Sequence, residues 1–420
     1  MKGDLIFWPR QHYRRSGNLK CVVLILVLSS TYALRCTPAE AHQTTPKRSS
    51  FDTWAAQAEA AKNQNRLDDA VLLYKKALAV RPQWSEGWWS LGTLLYDKNN
   101  YAEAEQAFQK FVRLDTKNGT GRLMLALCQY ELGKDDASLQ NIFTAEKLGI
   151  EKNDQLQHVL QYHEGMLLLR KAQYESAIEV LAYLSREGVQ SDDLYTAIGM
   201  GALMMNPREV PSASSPGRTV VLRVGHAENF SLLQSYDAAR KEYQSVVANY
   251  PGFPNIHYAY GRFLLQVQDT QTAVQQFQLE LKRNPRHTRA LLQIAATHYR
   301  IDSKQGIPYA EQAVQIDPNY PFGHYLLGLL SLDAGDIKNA VNQLEIAKKM
   351  IPNEAQVYFA LGDAYATVGR KQEAAVARAT FMRLKKLSSA QGPTTYGGVE
   401  QLHLDSRASQ KKAQQERDQP

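Results

Sequence analysis

The chain has 420 residues, 44% of them hydrophobic, and a formal net charge of +7 at neutral pH, a composition typical of globular protein with one to three domains. More than half of that charge, +4, lies within residues 1–41, which hold six basic residues against two acidic ones. No stripe of lysine and arginine interleaved with aromatic residues stands out in the remainder, so the composition argues against nucleic acid as a partner.

The first predicted element is an export signal peptide at residues 1–41. A basic region ends at Lys20 and is followed by the apolar run CVVLILVLSSTYAL at residues 21–34, which is shorter than the roughly 20 residues that span a bilayer comfortably. An Ala-Glu-Ala tripeptide then ends the segment and provides a cleavage site. We therefore expect an exported protein, periplasmic or extracellular, with a linker at residues 42–50. The alternative is that residues 21–34 remain as a membrane anchor.

Cysteine usage agrees with a fold held together without disulfides. Cleavage after residue 41 would leave Cys128 as the last of the three cysteines. A single cysteine cannot form an intrachain disulfide, so packing alone must hold the exported fold. Lipid attachment at Cys36 is a weaker alternative, because Arg35 does not suit the small-residue pattern of bacterial lipoprotein signals.

From residue 51 onward, a pair of short amphipathic helices recurs. In the stretch WWSLGTLLYDKNNYAEAEQAF at residues 88–108, apolar side chains follow helical spacing before and after a polar turn. The small residues Gly92 and Ala104 would let the two helix backbones approach closely. The first of these small positions returns mostly in steps of 34, at Ala58, Ala126, Gly165, Gly199, Ala227, Gly261, Ala295, Gly328 and Gly362.

Two further positions of the unit recur with it. A large residue occupies one slot of the first helix, namely Trp54, Trp88, Tyr195, His257, His324 and Tyr358. A proline just past the second helix closes several units, namely Pro82, Pro251, Pro285, Pro318 and Pro352. Proline there stops the helix and begins the turn into the next unit.

This pattern resembles the tetratricopeptide repeat (TPR) family, whose signature is W-x2-L-G-x2-Y, then A-x3-F, then A and P within 34 residues. The unit FGHYLLGLLSLDAGDIKNAVNQLEIAKKMIP at residues 322–352 matches it with His324, Gly328, Ala340 and Pro352. A helical array of another family, such as HEAT repeats, is the alternative, which the 34-residue step disfavours. The resemblance implies an all-α, right-handed superhelical solenoid of antiparallel helix pairs, with first helices lining an inner groove.

The resemblance covers residues 51–386, and its spacing divides them into an N-terminal segment at 51–205 and a C-terminal segment at 220–386. Between the two lies a break at residues 206–219, whose three prolines and three serines cannot form a normal second helix. Residues 192–205 are therefore predicted to be a first helix without its own second helix. We interpret the break as a hinge or a partner-contacting loop, and a harmless variation of surface length is the alternative.

Smaller irregularities give three more predictions. One 39-residue step in place of 34 predicts a longer connection near residues 149–154. Pro308 predicts that a second helix starts near Gly306, because proline is tolerated in a first helical turn. Residues 387–420 have few large apolar residues, which predicts a disordered tail. No polar-faced closing helix is evident, so we expect the last repeat to be partly exposed or covered by a partner.

No combination of residues in the sequence indicates catalysis. His158 and His163 lie about 140° apart around a helix, so they cannot share a metal ion. His257 and His324 occupy the large-residue slot and are predicted to be core histidines. The repeats consume nearly all of the ordered chain, so we predict no enzymatic activity, no cofactor and no metal site.

The resemblance to TPR proteins places the candidate binding residues on the inner face of the first helices. The position after the large-residue slot and the positions four and seven residues further on point into the groove. In this chain they are mostly aromatic: Trp89, Thr93, Tyr96, Tyr130, Tyr162, Met166, Tyr258, Arg262, Tyr299, Tyr325 and Phe359. If exposed, they suit an extended peptide or a helix; if neighbouring coils cover them, they are core. The lysine- and asparagine-rich clamp by which some family members bind free carboxylate ends is absent from the matching positions.

These observations predict a non-catalytic protein-binding scaffold or adaptor in a bacterial cell envelope, acting through its concave groove. The expected partner is a protein or a peptide, and membrane contact is expected only through an uncleaved N-terminal segment. One alternative is a structural component that self-associates through the C-terminal repeat. An enzyme whose site forms between repeats is a further, weaker alternative, since function resides in sites rather than in folds.

Overall fold

A computed structural model of the protein describes residues 50–391, all of them in helices or their connections, with no strand in that range. The α-helices are α1 (Ser50–Asn63), α2 (Leu67–Val80), α3 (Ser85–Asp97), α4 (Tyr101–Leu114), α5 (Gly119–Glu131), α6 (Asp135–Leu148), α7 (Asp154–Arg170), α8 (Tyr174–Arg186), α9 (Asp192–Ala202), α10 (Pro216–Leu232), α11 (Tyr236–Asn249), α12 (Ile256–Gln266), α13 (Thr270–Arg283), α14 (Thr288–His298), α15 (Ser303–Ile316), α16 (Pro321–Ala334), α17 (Ile337–Met350), α18 (Ala355–Thr367) and α19 (Lys371–Gln391). A short 3-10 helix lies at Pro207–Glu209.

The chain divides between Gln157 and His158 into two compact units, which we call the N-terminal unit and the C-terminal unit. Within each unit, consecutive helices pack side by side as antiparallel pairs joined by tight turns. The prediction of an all-α solenoid of helix pairs is confirmed. The predicted signal peptide, the linker up to residue 49 and the tail from residue 392 lie outside the described residues.

A small residue against a large one forms the joint within a regular pair. A Cβ atom at Gly92 of α3 would lie 2.9 Å from the ring of Phe108 on α4. At Gly261 of α12 it would lie 2.5 Å from the ring of Phe277 on α13. The large residue comes 16 positions after the glycine in both pairs, and both phenylalanines are fully buried. The second helix therefore inserts a side chain into the space that the missing Cβ leaves.

The large-residue slot makes a hydrogen bond as well as a packing contact, which explains its mixture of Trp, His and Tyr. In four of the units, a ring N–H, a ring O–H or an imidazole nitrogen of this residue lies within hydrogen-bonding distance of the carbonyl oxygen of the proline six residues earlier. The donor–acceptor distances are 2.8 Å for Trp88 and Pro82, 3.2 Å for His257 and Pro251, 2.9 Å for His324 and Pro318, and 2.8 Å for Tyr358 and Pro352. The slot thus satisfies a carbonyl group in the turn between units, and it tolerates any large ring with a donor at its edge.

The region around the break is built differently. Helix α9 packs on α10 with no second helix between them, and the contact is backbone against backbone. A Cβ atom at Gly225 would lie 1.7 Å from the carbonyl oxygen of Tyr195, and one at Gly199 would lie 2.0 Å from that of Val221. Only glycine permits this approach, because any side chain would meet main-chain atoms.

The break itself is anchored at its N-terminal end within the C-terminal unit. The side-chain amide of Asn255 donates to the carbonyl oxygen of Leu203 at 2.6 Å. The side-chain amide of Asn206 donates to the carbonyl oxygen of Arg170 at 3.2 Å. Pro211 lies close to Gly217 at the start of α10. The segment therefore packs against neighbouring turns instead of projecting as a long free loop.

Two predicted boundaries need correction. Helix α15 begins at Ser303, not near Gly306, so Pro308 lies inside the helix. The earlier start follows from Ser303, which is buried and whose hydroxyl donates to Asp333 at 2.7 Å while accepting from the backbone N–H of Arg300 at 3.1 Å.

The other correction concerns the C-terminus. Helix α19 continues to Gln391 and so includes the first five residues of the predicted disordered tail at 387–420. By contrast, the irregular step is placed as expected, since α6 ends at Leu148 and α7 begins at Asp154.

Candidate partner-binding surface

In the N-terminal unit, the four candidate groove residues divide between accessible and buried positions. The ring of Trp89 is half-buried and packs 5.2 Å from that of Phe111 on α4, measured between centroids. Thr93 is also half-buried, and its hydroxyl donates back to the Trp89 carbonyl oxygen at 3.0 Å. Tyr96 and Tyr130 are buried. The accessible part of this surface is therefore centred on Trp89.

Helix α7 contributes one accessible and one buried residue to the C-terminal unit. Tyr162 is half-buried, with its ring packed edge-on against that of His163 at 5.7 Å. Met166, one helical turn later, is buried. Burial of His163 lowers its pKa to about 4, so its imidazole is neutral near pH 7.

The aromatic residues of the later first helices are mostly covered. Tyr258 is fully buried between the rings of Phe277 and His287, at 5.9 and 4.8 Å. Because His287 precedes the first helix of the next pair, the neighbouring coil is what covers Tyr258. Tyr325 is buried as well. Phe359 is 47% exposed, and its ring packs against that of Phe381 on α19 with 5.3 Å between the centroids. The candidate groove residue of the last pair is therefore accessible to solvent.

The remaining two candidates are half-buried and polar at their tips. Tyr299 directly follows α14, and its hydroxyl oxygen accepts from Nε of Arg300 at 3.0 Å. Arg262 on α12 lies 3.9 Å from a carboxylate oxygen of Glu175 on α8. Six of the eleven candidates are thus at least partly accessible and five are core. Their use by a partner stays a prediction.

A charged contact in the C-terminal unit joins two helices that the repeat pattern does not connect. Arg289 on α14 donates to the carboxylate of Glu175, 114 positions earlier. Its guanidinium also lies 5.9 Å from the ring of Tyr174 and 5.7 Å from that of Tyr320. No pattern in the sequence connects Glu175 with Arg289, because the repeats specify neighbours and not contacts several pairs apart.

The described cysteine and two histidines of the large-residue slot lie buried outside this surface. Cys128 is fully buried, and burial together with the nearby Glu105 raises the pKa of its thiol, which keeps it protonated. His257 and His324 are buried as predicted, with each Nδ1 2.7 Å from a glutamine side-chain oxygen. Within residues 50–391, no three His, Cys, Asp or Glu side chains gather to hold a metal ion. No helix in that range has the length and apolar character needed to cross a membrane.

Comparison with known families agrees with this architecture. The family model described as tetratricopeptide repeat matches residues 55–119, 233–305 and 325–380. The chain is a tetratricopeptide repeat protein. The interval from 120 to 232, which the family model leaves unmatched, contains the longer connection before α7 and the backbone contact of α9 with α10. The TPR pattern is therefore weakest where the geometry departs from it.

Curated relatives share only part of their length with this TPR protein. It is 27% identical over 146 residues to the protein O-mannosyl-transferase TMTC3 of Homo sapiens, which is 34% of this chain and 15% of the human protein. Identity to the Mus musculus protein of the same name is 34% over 70 residues, 17% of this chain and 8% of that protein. The chain spans less than a fifth of the length of either relative.

Solved structures resemble the TPR protein in fold. MamA from Desulfovibrio magneticus RS-1 is 23% identical with a TM-score of 0.37, over 40% of this chain and 95% of that one. YrrB, described as a TPR protein with an unusual peptide-binding site, is 15% identical with a TM-score of 0.35, over 40% of this chain and 87% of its own. At identities and TM-scores this low, the similarity says nothing about function.

Proposed function

We propose that this TPR protein is a non-catalytic scaffold that binds a protein or peptide partner through the accessible residues of its first helices. The observation that carries the proposal is Phe359, a large aromatic side chain left 47% exposed on the last first helix, with Phe381 beside it. Trp89 and Tyr162 offer further half-buried rings in the two units. Rigid aromatic groups of this kind contribute contact area to an interface at low cost in conformational entropy.

A scaffold role also fits the large share of the described residues that lies in helix pairs. Helix pairs account for nearly all of residues 50–391, and TPR folds generally serve interaction and not catalysis. The slots that hold histidines serve the carbonyl groups of turns, as His257 and His324 do. A catalytic site formed between repeats is the weaker alternative, because it would need titratable side chains from several pairs to converge on one accessible place.

The proposed location is the envelope of a bacterial cell, as a periplasmic or extracellular protein. Support comes from the basic leader and the apolar run at residues 21–34. Sequencing the N-terminus of protein recovered separately from the envelope, membrane and cytosolic fractions of its native cells tests this location. A mature chain beginning at residue 42 supports a cleaved signal peptide, whereas an intact leader in the membrane fraction supports the anchor. An intact leader in the cytosolic fraction contradicts both.

Cross-linked co-purification from the native envelope tests the binding role. We expect wild-type protein to capture a partner that the Phe359→Ala variant loses. Leu72→Ala is the control, since Leu72 is 54% exposed on α2, the second helix of the first pair. Both variants must retain the circular dichroism and the melting temperature of the wild type. A partner that Phe359→Ala retains would contradict a binding role for this surface of the first helices.

Self-assembly is the second candidate function, and it rests on helix α19. Val376 and Met382 on this helix are 62% and 64% exposed, and Leu387 is also exposed. Several exposed apolar residues on one terminal helix are the observation that favours this candidate. Light scattering on the full chain distinguishes the two candidates. An oligomer that Val376→Ser together with Met382→Ser converts to a monomer supports assembly, whereas a wild-type monomer at all concentrations contradicts it.

A further inference from the structure

The last helix of the described array, α19, is long and leaves most of its surface uncovered. It has 21 residues, whereas its partner α18 has 13. Between residues 371 and 387, the buried side chains are those of Ala374 and Ala377. Because these side chains are small, α19 packs on α18 through a narrow strip. Its outer face remains available for a further contact.

That outer face carries an apolar stripe. At about 100° per residue, five exposed apolar residues fall within about 140° of the helix circumference. They are Ala375, Val376, Ala379, Met382 and Leu387. Met382 is 64% exposed and Val376 is 62% exposed. Apolar side chains in water gain free energy when they are buried, so the stripe favours a partner that covers it.

The same face is positively charged. Residues 374–391 contain four basic residues and no acidic one. The basic residues are Arg378, Arg383, Lys385 and Lys386. Arg383 falls within the apolar stripe, and Lys385 falls beside it, next to Met382; both are exposed. The outer face of α19 is therefore apolar and basic together.

The positive charge is concentrated in the second half of the helix. In the first half, two acidic side chains are already in ion pairs. Glu373 contacts Arg370, and Asp363 of α18 lies 3.6 Å from Nη2 of Arg378. From Arg383 onward the helix adds only basic charge, and this part also bears the exposed side chain of Leu387.

We propose that the outer face of α19 binds the surface of an anionic membrane. The helix lies in the plane of the membrane, with Met382 and Val376 entering the boundary between headgroups and acyl chains. Arg383 and Lys385 contact lipid phosphates, while their aliphatic stems stay beside the apolar stripe. This contact goes beyond the partner-binding role proposed for Phe359, and it is additional to any contact that the N-terminal segment makes with a membrane.

Charge complementarity favours anionic lipid over a second copy of the chain. Two α19 helices packed face to face would bring basic residues of both copies together, and like charges at an interface oppose association. A surface of anionic headgroups instead attracts the basic residues and covers the apolar ones. Both properties of the face are therefore satisfied by one occupant.

Hydrogen exchange in the presence of vesicles tests the location of the contact. The full chain is mixed with vesicles of equimolar phosphatidylglycerol and phosphatidylcholine, or with vesicles of phosphatidylcholine alone. We expect exchange of α19 peptides to slow several-fold with the anionic vesicles and to stay unchanged with the neutral ones. Peptides from α2 serve as the internal control. This readout is local, so binding by the basic leader at residues 1–41 does not imitate it.

Two double variants separate the contributions of charge and apolar surface. Arg383→Gln with Lys385→Gln should weaken α19 binding to the anionic vesicles about tenfold, because two basic residues near the lipid surface are lost. Val376→Ser with Met382→Ser should weaken it by a similar factor, since less apolar area enters the membrane. Binding is read in each case from the vesicle concentration at which α19 is half protected.

Matched controls remove the same groups elsewhere. Lys282→Gln with Lys349→Gln takes two exposed basic residues from second helices of the same unit, and Leu72→Ser with Val80→Ser takes two apolar residues, 54% and 52% exposed, from α2. Both should protect α19 as the wild type does. Circular dichroism establishes that every variant is folded.

Three outcomes would overturn the proposal. One is unchanged exchange of α19 with anionic vesicles. Another is an equal loss of protection in the charge variant and its control, which would indicate general basicity of the chain. The third is protection of α19 that rises with protein concentration in the absence of vesicles, which would identify a second copy as the occupant. None of them bears on whether Phe359→Ala loses a protein partner.

Discussion

Two helix pairs, α12 with α13 and α9 with α10, both depend on glycine. They differ in whether the glycine faces a side chain or the backbone of the other helix. In the regular pair, Gly261 faces the side chain of Phe277, which can tilt. In the irregular pair, Gly225 faces the carbonyl oxygen of Tyr195, which cannot move without moving α9. We therefore expect a joint that packs a side chain against backbone to accept a small added side chain, and a backbone-to-backbone joint to reject it.

The difference between these joints also explains why the family model leaves the region of α9 and α10 unmatched. A second helix normally follows each first helix and provides the large residue that fills the joint. After α9 the chain has only the 3-10 helix at Pro207–Glu209 before α10 begins. With no second helix to insert a side chain, two first helices close the gap themselves, and glycines at 199 and 225 become obligatory.

The largest expected effect comes from Gly225→Ala. The added Cβ would lie 1.7 Å from the Tyr195 carbonyl oxygen, so α9 and α10 must separate. We expect the free energy of unfolding of the C-terminal unit to fall by about 3 kcal/mol. All five tryptophans precede residue 90, so tryptophan fluorescence does not report on α9 and α10. Amide hydrogen exchange of peptides from these two helices is therefore the measurement. A variant with wild-type protection in these helices would show that the backbone contact is absent.

Acid provides a second test, because His163 lies in the irregular part of the chain and His287 in the regular part. Burial lowers the pKa of each imidazole to about 4, whereas an unfolded histidine titrates near about 6.5. The unfolded state therefore binds more protons between these values, and stability falls as the pH drops below about 6.5.

For each histidine, the expected loss between pH 7 and pH 5 is about 2 kcal/mol of the free energy of unfolding. Nδ1 of His287 accepts from the backbone N–H of Ala290 at 3.1 Å, so protonation also removes a helix cap. The substitution His287→Asn keeps a capping group without the titration. Urea unfolding of this variant at both pH values should show an acid sensitivity smaller by about 2 kcal/mol; unchanged sensitivity would place the responsible group elsewhere.

The large-residue slot of the regular pairs gives a smaller effect with an internal control. His257→Phe keeps the ring but loses the contact of Nε2 with the Pro251 carbonyl oxygen at 3.2 Å. We expect a loss of about 1 kcal/mol, because the carbonyl oxygen then keeps only its second donor, Nη1 of Arg283 at 3.0 Å. His257→Tyr should retain most of the stability, since Tyr358 makes the equivalent bond to Pro352 at 2.8 Å. Thermal unfolding that ranks the Tyr variant with the Phe variant would reject this role.

The smallest effect is expected for Gly261→Ala, the counterpart of the first prediction. The new Cβ would lie 2.5 Å from the edge of the Phe277 ring, which can tilt, and alanine favours the helix over glycine by about 1 kcal/mol. Other units already place alanine in this position, as Ala58 does opposite Tyr74. We expect a net loss below about 1 kcal/mol. Hydrogen exchange of α12 peptides should therefore change far less than that of α9 peptides in Gly225→Ala.

Sequence periodicity was sufficient for the regular pairs because their joints are local. The small residue and the large residue of each joint lie 16 positions apart, as in Gly92 and Phe108, and a pattern of this length repeats visibly. Helix α15 was placed less well, since its start depends on the long-range bond from Ser303 to Asp333. Local preference alone argued for a start closer to Pro308.

The candidate surface was identified only in part for a related reason. Position within the repeat puts Tyr258 and Phe359 in the same class, yet Tyr258 is fully buried and Phe359 is 47% exposed. What differs is the neighbour that follows. The ring of His287 covers Tyr258 at 4.8 Å, whereas within residues 50–391 only α19 follows the helix that bears Phe359. Whether a groove residue is buried depends on the helix pair that follows it. The repeat pattern does not distinguish one following pair from another.

The amino-acid sequence by itself determined that this chain is an all-helical TPR array, where each pair lies, and where the spacing fails. Those features depend on hydrophobic period and on turn-forming residues, which act over a few tens of positions. Only the tertiary structure decided that α9 rests on α10, that half of the groove aromatics are core, and that Glu175 meets Arg289 across 114 positions. Contacts between distant pairs depend on the accumulated geometry of the turns between them, and no local pattern encodes that geometry.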